Sequence, residues 1–331
     1  MENRTYALIG GAGVFAIHTA QYLLANANPR KVIAIGRNRM QSSPFTLDTG
    51  KGDDRFEYHQ IHLVFEQDRL FELFDQEKPD VIINFAALAY ATSWNKSFRY
   101  YESNVVAVAK MCEDLHKRDY LQRFLQIGTS ELYGSVGKPA TEDTPLCPTS
   151  PYAVSKLAAD LHLETLWNVQ KFPMNIIRPS NAYGPGQLMY RILPRAVLCG
   201  LTGQKLPLQG GGHVKKSYIH AQDLARAIHL IVDKAPLGVT YNAGPAAPVS
   251  IREIVQTVAD ELGMTLDELC DITEGRQGED AQYWLDSSRI KNDLDWEPNI
   301  GLREGVRDMI DWGRKYIDQI QDEPLDFILR A

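Results

Sequence analysis

Cysteine is scarce in this chain. Its 331 residues include four, Cys112, Cys147, Cys199 and Cys270, widely spaced and without a C-x-x-C pair. That excludes a zinc knuckle and a disulfide-built scaffold, and it suits thiols in a reducing compartment. The eight histidines form no H-E-x-x-H or H-x-H pattern; only His59 and His62 are close, and no metal site is expected. Basic charge is not in excess. Lys and Arg total 35 against 42 Asp and Glu, a net charge of −7, which argues against nucleic acid or an anionic membrane as partner. A local basic pocket for a phosphorylated ligand is still compatible with that balance. No apolar run is long enough to cross a bilayer. The N-terminus enters an apolar strand pattern without a basic-then-apolar leader, so the expected location is the cytoplasm. Internal repeats and low-complexity segments are also absent.

What is present is an ordinary globular composition, 44% hydrophobic and 23% charged, at a length ample for a core. The first half alternates short apolar runs with amphipathic segments, the pattern of a parallel sheet wrapped by helices. Strands are expected at 6–9, 31–35, 80–85, 123–128 and 175–178. Helices are expected at 16–25, 70–77, 100–118 and 151–170, the last with Ser150 as cap and Pro151 in its first position. After Pro179 the pattern loosens into glycine-rich loops, then a helix at 223–233, a strand at 240–243 and a helix at 250–261 that Ser250 and Glu253 could cap. The fold class expected is α/β: a doubly wound parallel sheet with a smaller, discontinuous C-terminal domain. The boundaries read as 1–180 with 217–244 for the larger unit, and 181–216 with 245–331 for the smaller.

Ile9-Gly10-Gly11-Ala12-Gly13-Val14-Phe15-Ala16 joins the first strand to the first helix. Gly10 permits a sharp turn, Gly13 lets a pyrophosphate approach the backbone, and small Ala16 lets the helix pack on the sheet. A pyrophosphate would then sit on N–H groups at the helix start. Glycine loops are common, but this one lies after a strand and before a helix, which is the context of a Rossmann dinucleotide site. The second strand ends Ile35-Gly36-Arg37-Asn38. An NAD site usually places a carboxylate there for the ribose 2′-hydroxyl. Arg37 instead suits a 2′-phosphate, so NADP is preferred over NAD.

Residues 129–156 carry the chemistry. Thr129-Ser130-Glu131 follows a strand, and Tyr152 and Lys156 stand four apart on one helix, so they share a face. A phenol with a pKa near 10 is a poor base at neutral pH, but a neighbouring ammonium lowers that value. So tuned, Tyr152 can take a proton from a carbinol as hydride leaves for nicotinamide, with Thr129 holding the reacting oxygen. Glu131 discriminates further. Oxidation at a sugar C4 acidifies the C5–H, and a carboxylate beside it can remove that proton and expel the C6 hydroxyl. The plain alternatives are a solvated Arg37 and a Glu131 that faces solvent.

At these residues the chain resembles the extended short-chain dehydrogenase/reductases, over nearly its whole length. Asn84-Phe85-Ala86-Ala87, Asn104, Arg178-Pro179-Ser180-Asn181-Ala182-Tyr183-Gly184-Pro185 and Asp223 add to the match. Within them, Thr129–Gly134 with Ser150–Lys156 looks most like the GDP-mannose 4,6-dehydratases, and Leu193–Ala227 looks more like the dTDP-glucose 4,6-dehydratases. The resemblance implies Thr129, Glu131, Tyr152 and Lys156 as the catalytic set. It implies a recycled NADP or NAD held by Gly10, Gly13, Val14, Phe15, Arg37, Ala86, Ala87, Tyr152 and Lys156. It implies a nucleotide-diphosphate sugar contacted by Ser93, Ser130, Asn181, Lys216 and Arg276. It also implies a homodimer through the helices around 100–117 and 151–170. Two departures stand out: Ser130 replaces an acidic aspartate, and His62 replaces the aspartate near adenine. A 4-epimerase, a 5,6-dehydratase, a uronate decarboxylase and a non-catalytic NADP sensor stay open at this level, since fold does not fix function.

Overall fold

The computed structural model describes residues 3–89, 96–274 and 282–326. Ser93 and Arg276 lie outside them. The apolar runs of the first half form strands β1 (Thr5–Ile9), β2 (Lys31–Gly36), β3 (Phe56–Gln60), β4 (Val81–Asn84), β5 (Arg123–Ile127) and β6 (Met174–Pro179). With the Thr240–Ala243 strand at one edge, they make a seven-stranded sheet in the order Thr240–Ala243, β6, β5, β4, β1, β2, β3. Every pairing in it is parallel. All five residues of β1 are buried, as helices on both faces require. Leu8, Val81 and Ile228 pack on one face, and Ile33, Phe124 and Leu163 on the other.

Several elements depart from the sequence expectation, among them a helix, Ile192–Thr202, in the stretch read as glycine-rich loop. The strand Phe56–Gln60 was not anticipated: it forms the sheet's other edge, its residues are half-buried or exposed, and its Glu, His and Gln hide the apolar signal. The single helix expected over 100–118 is broken. Phe98–Tyr101 leads into a π-turn at Glu102–Val106, and a regular helix resumes at Ala107–Leu115. The cause is visible at Asn104. Its side chain donates to Leu88 O and Ser155 Oγ and accepts from Leu88 N. A π-turn is a common way of turning a side chain toward a site.

The C-terminal pieces build a separate core. Val197, Val258 and Met309 meet there, from the helices Ile192–Thr202, Ile251–Leu262 and Leu302–Ile320. Ser250 and Glu253 form the expected capping box on the second of these. Phe45 of the N-terminal half joins this core, while Ile290, Leu294 and Trp296 pack with the sheet instead. Buried Asp223 ties the two regions. Its carboxylate accepts from the backbone N–H of Asn299 and Ile300, at 2.9–3.0 Å, and its carbonyl accepts from Trp296 Nε1.

Asp223→Ala strands two backbone donors and should cost about 2 kcal/mol of stability. Urea denaturation followed by circular dichroism checks this, and a midpoint equal to the parent's counts against the tie.

Candidate active site

Parallel strands bring all their carboxyl ends to one edge, and that edge collects Gly10, Arg37, Ala86, Thr129 and Asn181, each just past a strand end. Gly10 follows β1 with φ +80°, and a Cβ there would lie 2.7 Å from Ala86 N. Gly11 N and Gly10 N both donate to Ile35 O, and a Cβ on Gly11 would press on Ala34. The turn therefore needs glycine at both positions, a demand the sequence reading recognised only for Gly10. Gly13 is the N-cap of α1 (Val14–Asn26) and leaves that helix without a side-chain cap. Val14 and Phe15 follow, half-buried. Ala86 sits against Gly10, and Ala87 beside it is exposed. This uncapped helix start above a tight glycine turn fits a dinucleotide pyrophosphate.

Arg37 stands exposed after β2. Its carbonyl accepts from Gln60 Nε2, and the carbonyl of Asn38 accepts from the Tyr58 hydroxyl, so β3 fixes the turn. Burial and the nearby Arg99 guanidinium hold Arg37 below the usual arginine range. His62 is pushed down by burial and then by Arg37, and Arg99 adds to the effect. Its ring lies 4.6 Å from that of Phe65, which is exposed. Among the described residues no carboxylate pairs with Arg37 or Arg99. Arg99 had no sequence signal, because it reaches this corner only through the fold.

β5 ends at Ile127. Gly128 follows, then Thr129 caps a short 3-10 turn, Ser130–Tyr133, by accepting from Glu131 N at 3.3 Å. Thr129 and Ser130 are buried and Glu131 is half-buried. The helix Pro151–Gln170 starts as expected, with Ser150 Oγ accepting from Ala153 N. Its first turns place Tyr152 beside this 3-10 turn: the Tyr152 hydroxyl hydrogen-bonds the Thr129 side chain and feels the Glu131 carboxylate. Tyr100 packs edge-on against Tyr152 at 6.3 Å. Lys156 is buried, and its Nζ donates to Ile127 O at 2.6 Å.

The electrostatics differ from the expectation. Tyr152 is pushed above the usual tyrosine range, by burial first and then by Glu131. The hydrogen bond from Thr129 and the charge of Arg191 oppose that rise. Lys156 is not the neighbour that offsets it. Burial drives Lys156 itself down to about 8, with Asp160 opposing, and its ammonium is engaged by the Ile127 carbonyl. Arg191 escaped the sequence reading. It is the exposed N-cap of the Ile192–Thr202 helix, 5.0 Å over the Tyr190 ring. A lone arginine in a loop carries no pattern to find it by.

Asn181 begins a short strand, Asn181–Tyr183, paired with Tyr218–His220. Lys216 lies in the strand Lys215–Lys216, between Val249–Ser250 and Gln282–Tyr283. Both are half-buried. Among the described residues no group of three or more His, Cys, Asp or Glu could hold a metal ion, and no helix is long and apolar enough to cross a membrane.

The comparisons with known proteins agree with this geometry. A trifunctional UDP-glucose 4,6-dehydratase/UDP-4-keto-6-deoxy-D-glucose 3,5-epimerase/UDP-4-keto-L-rhamnose-reductase of Arabidopsis thaliana is 25% identical over 94% of this chain and 48% of its own length. The chain thus spans about half the length of the first curated relatives it matches. The dTDP-D-glucose 4,6-dehydratase of Homo sapiens is 27% identical over 92% of this chain and 89% of that protein. The crystal structure of dTDP-glucose 4,6-dehydratase from Bacillus anthracis in complex with NAD superposes with a TM-score of 0.86 at 27% identity, covering 95% of this chain and 98% of that one. The model of the GDP-mannose 4,6 dehydratase family matches residues 8–309, and the chain belongs to that family.

Proposed function

We propose that this chain is a nucleotide-sugar 4,6-dehydratase. The observation that carries the reading is Glu131: a carboxylate on the same 3-10 turn as Thr129, close enough to raise the Tyr152 hydroxyl. A bound nicotinamide dinucleotide would supply the hydride acceptor at C4 and the hydride donor at C6. The chain's own residues do the rest. Tyr152 takes the proton of the C4 hydroxyl, and Thr129 holds that oxygen. Glu131 removes the C5 proton and passes a proton to the departing C6 hydroxyl, directly or through Ser130; when hydride returns to C6, a proton returns to C5, and the one Tyr152 took from the C4 hydroxyl restores that balance. One water leaves and the dinucleotide ends as it began. The raised Tyr152 needs positive charge nearby to act as a base, and Lys156 and Arg191 are the cations at hand.

Asn181, Lys216 and Arg191 are our candidates to grip the sugar nucleotide, with Ser93 and Arg276 as candidates outside the described residues. Lysine at 216 offers a point charge rather than a bidentate fork. We read 1–180 with 217–244 as the dinucleotide unit and 181–216 with 245–331 as the sugar-nucleotide unit. The separate core around Val197, Val258 and Met309 supports that division.

Three outcomes test this reading. With GDP-mannose, dTDP-glucose and UDP-glucose offered in turn, one should yield a 4-keto-6-deoxy sugar by mass spectrometry, 18 mass units lighter. Glu131→Gln should lower that yield by roughly a hundredfold or more; recovery of a C4 epimer alone rejects the dehydratase.

NADP is our preferred cofactor, because Arg37, Arg99 and His62 gather where a 2′-phosphate would lie, and the nearby Glu66 carboxylate is taken up by His62 N and Arg69. Calorimetry should show Arg37→Ala and Arg99→Ala weakening NADP roughly tenfold each, about 1.4 kcal/mol, with little effect on NAD. Equal losses for both dinucleotides would remove the 2′-phosphate assignment.

A homodimer is supported by exposed apolar side chains on adjacent helices: Phe98, Tyr101 and Val106 on one, Val154 and Leu161 on the other. Light scattering after gel filtration should give twice the chain mass for the parent and a monomer for Leu161→Asp. A monomeric parent defeats this point.

A further inference from the structure

The Tyr152–Lys156 helix carries a further buried polar residue, one turn beyond Lys156 on the same face. Asp160 is wholly buried. Its Oδ2 accepts from Arg178 Nε at 3.0 Å, and Arg178, from β6, has a side chain only 3% exposed. Its other oxygen, Oδ1, has no hydrogen-bond partner. A buried carboxylate oxygen left unsatisfied is costly, and such oxygens recur where charge has a task.

The pair is built into the catalytic edge. Arg178 Nη1 donates to the Tyr133 hydroxyl at 3.2 Å, and Tyr133 ends the 3-10 turn that bears Thr129 and Glu131. The Tyr133 hydroxyl donates to Asn242 Oδ1 at 2.8 Å, so the network reaches the edge strand. Gly128 clears the room. A Cβ there would lie 3.0 Å from Arg178 Cγ and 3.4 Å from Asp160 Oδ2. Helix, 3-10 turn and two strands are thus tied under the reacting groups by one ion pair.

Lys156 has an otherwise poor environment for a cation. It is buried, and a single carbonyl, Ile127 O, receives its hydrogen bond. Burial with only a neutral partner favours the uncharged amine. The ionisable groups around this spot are Tyr152 and Asp160 on its own helix, Glu131 and Tyr133 on the 3-10 turn, Arg178 on β6, Glu164 beside Arg178, and Arg191 across from Tyr152. Of these, Asp160 is the one that acts to keep the proton on Lys156.

We propose that Asp160 is a positioning residue: anchored by Arg178, it keeps the Lys156 ammonium charged beside Tyr152. Burial raises the Asp160 carboxyl and Arg178 opposes that rise, so the pair acts as a unit. The Asp160 carboxylate itself raises Tyr152, so what it contributes toward a phenolate runs through the charge on Lys156. The inference holds for any reaction that uses this tyrosine and lysine, so it does not depend on the sugar or on water loss.

The test reads Lys156 directly. The whole protein is labelled with carbon-13 at lysine Cε, and the Lys156 signal is assigned by its disappearance in Lys156→Arg. In the parent it should titrate well below an ordinary lysine. Asp160→Asn should move that midpoint down further, by about half a pH unit or more. Because Asp160→Asn leaves Arg178 buried without its partner and could unfold the chain, Asp160→Asn combined with Arg178→Met is made alongside it. The double variant should show the same downward shift. Asp160→Glu should restore the parent midpoint. A Lys156 titration unmoved in either folded asparagine variant overturns the proposal and leaves the pair a purely structural tie. Failure to turn over any nucleotide sugar would instead count against the dehydratase reading, and the lysine titration would be unaffected by it.

Discussion

Seven strands running the same way impose the constraint on which the rest of this molecule depends. Parallel pairing leaves no hairpins, so every strand must be followed by a crossover, and every crossover leaves from the same edge. The dinucleotide turn after β1, the arginine turn after β2, the alanines after β4, Thr129 after β5 and Asn181 after β6 are far apart in the chain. They become neighbours because each follows a strand terminus on that edge. The sheet is dry on both faces, so it holds these termini in fixed register. Asn104 adds a cross-tie, joining the loop after β4 to the catalytic helix through Leu88 and Ser155.

Burial and charge then compete at that edge. Desolvation drives Tyr152 up and Lys156 down, each toward its neutral form. A site with a neutral tyrosine and a neutral lysine would lack both a phenolate and the cation that stabilises one. Arg191 stands against that drift at Tyr152 and Asp160 at Lys156, and neither belongs to the pattern that first drew attention to the helix. Glu131 and Asp160 act in the opposite sense on Tyr152, since each places a negative charge near its hydroxyl. The arrangement suits a reaction in which a proton leaves one group before the other is needed.

The legible parts of the sequence were those with a local physical signature. Gly10 needs a positive φ, the buried strands need unbroken apolar runs, and Ser150 and Ser250 cap helices through their own side chains. These demands act within a few residues, so the chain displays them. Phe56–Gln60 was hidden because an edge strand can be polar. The π-turn at Glu102–Val106 was hidden because its cause, the bond from Asn104 to Ser155, spans 51 residues.

The sequence by itself determined the doubly wound α/β class, the tight glycine turn after β1 and the placing of Tyr152 and Lys156 four apart on one helix, since strand pattern, glycine turn and helical spacing are short-range properties. Only the tertiary structure decided which charges surround them. Arg99 arrives beside Arg37, Arg191 beside Tyr152, and Arg178 from β6 beside Asp160. Electrostatic energies depend on distance through space and on the depth of burial, and chain separation records neither.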